Sequence, residues 1–80
     1  MQQAKTVLDR GFLEMRWRCL SLAADLDRVA RCPGGQELLE SDARVQKLRK
    51  AIGVLLEPCE NRAERVELIF SDMTPPPARR

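Results

Sequence analysis

From Val7 to Arg31 the apolar side chains Phe12, Met15, Cys19, Leu22, Leu26 and Val29 return at steps of three and four. Only an α-helix places residues at that interval on one side, so this segment reads as a single helix of about seven turns. Glu14, Arg18, Ser21, Asp25 and Arg28 occupy the other side and read as its solvated face. Glu14 precedes Arg18 by four residues, the favourable order for a helical ion pair, worth a few tenths of a kcal/mol. Thr6 and Asp9 offer a weakened capping box, and Asp9 is a cap in its own right, which leaves the first turn open by several residues.

The run Cys32-Pro33-Gly34-Gly35 must end this helix. Proline disfavours helical geometry at the residue before it, and two glycines permit left-handed turns. Beyond it, Gln36 to Ser41 reads as a connection in which Glu37-Leu38-Leu39-Glu40 can form one helical turn with its leucines tucked inward. Asp42 or Ser41 then caps a second helix that presents Val45, Leu48, Ile52 and Leu55 and stops at Pro58, with Gly53 as its weak point. A third, shorter helix starts at Asn61, whose side chain forms a capping box with Glu64. It turns Ala63, Val66, Ile69 and Phe70 inward and frays near Ser71.

These elements predict an all-α fold: a small three-helix bundle with a long N-terminal helix and two shorter helices packed along it. Residues 1–6 read as a flexible N-terminus, 7–72 as the bundle and 73–80 as a disordered Pro-rich tail. The tail resembles an SH3 ligand only superficially, since Ala78 stands where that pattern needs proline. A chain of 80 residues supports one core with little stability in reserve, and such chains commonly gain stability from a partner subunit, a metal or disulfides.

Three cysteines, Cys19, Cys32 and Cys59, are an odd number with no close pair, and they form neither a disulfide framework nor a zinc knuckle. Cys19 lies in the main apolar row and reads as a small core hydrophobe. Cys32 and Cys59 stand beside prolines at helix ends, where a redox-active thiol is conceivable but has no resolving partner in the sequence. No signal-peptide pattern opens the chain, and no stretch approaches the roughly 18 apolar residues of a membrane span, so a cytoplasmic, membrane-free protein is expected. Arginine well in excess of lysine is the codon bias of a GC-rich genome, which suggests a bacterial source.

Histidine and tyrosine are absent, which removes the usual general base, the commonest metal ligand and the phenolic acid. No phosphate-cradling loop or glycine-flanked serine occurs either, so the sequence predicts no enzyme and no cofactor. Glu60, Glu64 and Glu67 repeat at helical spacing, but without Glu-x-x-His motifs they read as a solvated acidic face near a helix start. Arg44, Lys47, Arg49 and Lys50, with Arg62 and Arg65, make a modest basic patch. The net charge of +2, from 14 basic and 12 acidic residues, supplies no strong field, so weak nucleic-acid binding is only the alternative reading.

One feature points towards a function. Leu13, Trp17, Leu20 and Ala24 form a second apolar row on the first helix, turned roughly 100° from the Phe12 row. A helix touching two neighbours needs a wide apolar face, which is the plain explanation. Arg16 and Asp27, however, lie between the rows and resist being sealed in, and indoles are enriched at interface centres. The sequence therefore predicts a non-enzymatic interaction or self-association module that meets a protein partner, or a second copy as a homodimer, through Leu13, Trp17, Leu20 and Ala24.

Overall fold

Helix geometry dominates from the start of the chain, and a computed structural model describes residues 2–71. Of these, 83% are helical, with no strand among them, in a long N-terminal helix followed by shorter ones. That is the element order expected of a small helical bundle. The helices are α1 (Ala4–Arg31), α2 (Gly35–Ser41), α3 (Ala43–Leu55) and α4 (Arg62–Ser71). The expected tail at 73–80 lies outside the described residues. The chain divides between Leu39 and Glu40 into two compact units.

In the first unit α1 runs for 28 residues. It begins at Ala4, three residues earlier than the sequence spacing indicates, with Gln3 extended and contributing no side-chain cap. An ion pair from Lys5 Nζ to Asp9 Oδ2 at 2.9 Å spans the first turn and supports the earlier start. Pro33 forces Cys32 into extended geometry (φ −77°, ψ 151°), and the Cys32 N–H turns back to donate to Val29 O at 3.1 Å. Arg28 and Arg31 occupy the last turn, where the helix dipole favours cations.

The two glycines after Pro33 do different work. Gly34 takes the left-handed turn (φ 78°), whereas Gly35 is required by space: a Cβ there would lie 1.8 Å from Val29 O and 2.8 Å from Val29 C. Gly35 is accordingly the buried residue of α2, and its N–H donates to Cys32 O at 2.8 Å. The single turn considered for Glu37 to Glu40 is thus a seven-residue helix, on which Leu39 is half-buried and Leu38 exposed.

In the second unit α3 and α4 pack against each other as a helical hairpin. Asp42 caps α3, accepting from the Arg44 N–H at 2.7 Å and, through both carboxylate oxygens, from the Arg44 guanidinium at 3.0 Å. Those bonds, the side-chain one foremost, hold the Asp42 carboxyl down at about 2, well below the usual carboxylate range. The buried positions are Ala51 and Val54, with Val45 and Leu48 half-buried, while Ile52 and Leu55 are exposed. The inward face of α3 is therefore rotated from the one expected, because a small residue, Ala51, rather than Ile52 admits the neighbouring helix closely. On α4, Val66 and Ile69 are half-buried as expected, but Ala63 and Phe70 are exposed.

Candidate interaction surface

The uninterrupted course of α1 fixes where its apolar residues stand. Leu13 is 75% exposed and Trp17 63%, and Leu20 and Ala24 are exposed on the same side. The four predicted contact residues thus form one continuous open row over three turns. The main row is not the sealed seam expected from its periodicity: Phe12 is 51% exposed, Met15 and Cys19 are exposed, and Leu22, Leu26 and Val29 are half-buried. No residue of α1 is fully buried. Cys19 is therefore an accessible thiol rather than a core side chain.

The angle between the two rows also differs from the step between Phe12 and Leu13. At about 100° per residue, the mean directions of the two rows lie about 160° apart, since neighbouring members mark only their closest edges. Arg16 and Asp27 fill the gap on one flank, and Glu14, Arg18 and Asp25 border the other. Helix α1 is therefore apolar on two nearly opposite sides, and a single neighbouring helix cannot cover both.

The remaining candidates resolve differently. Four of the six basic residues read as a patch are engaged within the hairpin. Lys47 Nζ donates to Ile69 O at 3.3 Å, and Arg62 Nε donates to Leu55 O at 3.1 Å, so each helix of the hairpin has its last carbonyls capped by a cation from the other. Arg62 also donates to Glu57 O. Arg44 is held by Asp42, and Arg65 pairs with Glu57 at 2.8 Å, which raises its pKa above the ordinary value. Arg49 and Lys50 are exposed, as are Arg44 and Arg62. This capping role was missed in the sequence because it depends on which carbonyls the hairpin brings within reach.

Cys59 is half-buried and accepts a hydrogen bond from Arg65 Nη1 at 3.4 Å, while Cys32 is exposed and donates to Arg28 O at 3.3 Å. Glu60, Glu64 and Glu67 are exposed, and among the described residues no group of three His, Cys, Asp or Glu is placed to hold a metal ion. No described helix is long and apolar enough to cross a membrane. An open hollow beside the start of α3, lined by Ser41, Ala43, Gln46, Lys47 and Lys50, has a volume of about 520 Å³. Its walls supply no convergent set of buried polar groups to orient a ligand. Compared with known proteins, the chain matches no family model, no curated protein and no solved structure, so the two apolar rows of α1 must be interpreted on their own chemistry.

Proposed function

We propose that this chain is a non-enzymatic helical module for protein interaction or self-association, with Leu13, Trp17, Leu20 and Ala24 of α1 as its contact face. The observation that carries the reading is the exposure of Trp17 at 63% in line with Leu13 and Leu20. A tryptophan buries on the order of 200 Å² when fully covered, so sealing most of it stabilises a complex by roughly 3 kcal/mol at 25 cal/mol per Å². The charged neighbours Arg16 and Asp27 border the row and supply the polar rim usual around such a patch. The alternative, nucleic-acid binding through α3, has fewer free cations than the sequence counts, since Lys47 reaches the Ile69 carbonyl and Arg44 pairs with Asp42.

Trp17 is the only tryptophan, so its fluorescence reports on this face directly. Sedimentation and emission spectra measured together over a wide protein concentration range test the reading. A blue shift that accompanies a rise in mass and is lost in Leu20→Arg, where Trp17 remains to report it, is expected. A constant monomer mass with solvent-exposed emission throughout refutes self-association by this face.

A further inference from the structure

We infer that the Phe12 side of α1, opposite the Trp17 row, takes a second copy of this chain as an antiparallel helix pair centred between Leu20 and Ser21. The inference shares with the proposed function only the idea of self-association, and it rests on different residues. Leu8, Phe12, Met15, Cys19, Leu22, Leu26 and Val29 are separated by steps of four and three without interruption. That is a three-heptad seam of the kind that two helices interlock along. Leu8, Phe12, Met15 and Cys19 are exposed in the single chain and the rest of the seam is only half-buried.

Side-chain size and charge together select the partner and its direction. In the antiparallel register Phe12 faces Val29 of the second copy, Met15 faces Leu26 and Cys19 faces Leu22. Each layer then joins a larger residue to a smaller or comparable one, and the helix spacing stays even. A parallel pair would instead stack Phe12 on Phe12 and Cys19 on Cys19, forcing wide and narrow layers to alternate.

The flanks discriminate more sharply. Centred in this way, Arg18 of each copy lies beside Asp25 of the other, giving two symmetric ion pairs. On the opposite flank Asp9 meets Ala30 and Arg16 meets Ala23, so no like charges are opposed. Sliding the antiparallel pair by one heptad sets Asp25 against Asp25 in one direction, or Arg18 against Arg18 and Arg16 against Arg16 in the other. A parallel pair brings Arg18 to Ala23 and Asp25 to Ala30 and makes no ion pair along the seam. Arg18 and Asp25 already sit at the seam edge in exposed pairs with Glu14 and Arg28 of their own helix, which leaves them open to a second partner. The apolar area covered is on the order of 1,000 Å² for both copies, the lower end for a specific interface, so the dimer forms reversibly with concentration.

Sedimentation equilibrium of the full chain tests this with Arg18→Glu, Asp25→Arg and the double reversal, alongside Trp17→Ala. Each single reversal turns two attractions into two repulsions and should weaken the dimer by roughly tenfold, and the double reversal should recover it. Circular dichroism at a fixed low concentration checks that α1 remains helical in every variant. As an independent readout, Cys19 should react with a thiol reagent more slowly as protein concentration rises, while Cys59, which lies off the seam, should not change. A monomeric wild type at all concentrations overturns the inference, as does a double reversal no tighter than the singles. If Trp17→Ala alone abolishes association while the reversals have no effect, the Trp17 face stands and the Phe12 pairing fails. The converse result keeps the pairing and removes the Trp17 face.

Discussion

Replacing Gly35 by alanine should damage this chain more than any other single methyl group added to a glycine. The new Cβ would sit 1.8 Å from Val29 O, 2.8 Å from Val29 C and 3.1 Å from Ala30 Cα. All three obstacles are backbone atoms in the last turn of α1, so no flexible side chain can move aside. Reaching an ordinary contact requires a shift of about 1.5 Å, which carries α2 away from the end of α1 and stretches the Gly35 N–H bond to Cys32 O, now 2.8 Å. Overpacking of this kind costs about 1–3 kcal/mol, and a lost hydrogen bond adds about 1, giving about 3 kcal/mol in all. Gly34 provides the control. Nothing lies within 4 Å of its Cβ position, and only its φ of 78° is unfavourable to alanine, at a cost of about 1 kcal/mol. Urea unfolding followed by circular dichroism, with amide exchange at Leu38, measures both variants. The argument fails if Gly35→Ala is within about 0.5 kcal/mol of wild type, or if Gly34→Ala proves the more damaging.

Gly53 gives the opposite sign: its Cβ position is open and it lies inside α3, so Gly53→Ala should raise stability by about 0.5–1 kcal/mol, read as a higher urea midpoint without a change in slope. Asp42 titrates at about 2 in the folded chain, below its unfolded value of about 3.9, so its stabilisation is fully present above pH 4 and disappears as pH falls towards 2. Carboxyl NMR should show that low midpoint in the wild type and a higher one in Arg44→Met, still below the ordinary value because the backbone N–H groups of residues 44 and 45 continue to donate to it; a normal midpoint in the wild type contradicts the capping geometry.

The parts of this structure that follow from local periodicity were legible before any coordinates. The three-and-four spacing from Phe12 to Val29 gave one long helix, Pro33 fixed its end through the geometry of Cys32, and Asp42 supplied a cap. What depends on approach between segments was hidden. Gly35 is glycine because α2 starts against the carbonyl of Val29, whereas its neighbour Gly34 is glycine because of a positive φ, and adjacent identical letters cannot carry that distinction. Likewise Ala51 and Val54, not Ile52 and Leu55, face α4, since a hairpin packs by the closeness that small residues allow as much as by their hydrophobicity.

The charges show the same division between sequence and geometry, with a consequence for function. Lys47 and Arg62 looked like members of a phosphate-binding patch when counted along the chain. In space each ends at a carbonyl of the facing helix, where the dipole has its negative end. Arg18 and Asp25 looked like an ordinary solvated face, and their in-helix pairs are consistent with that. Yet these two border the Phe12 seam, and in the proposed antiparallel pair Arg18 of each copy would lie beside Asp25 of the other, so their charges gain meaning only against a second chain. Lys47 drawn to a carbonyl leaves α3 fewer free cations than its sequence counts, while Arg18 and Asp25 beside an open apolar seam are the charges the proposed pairing with an identical chain would use.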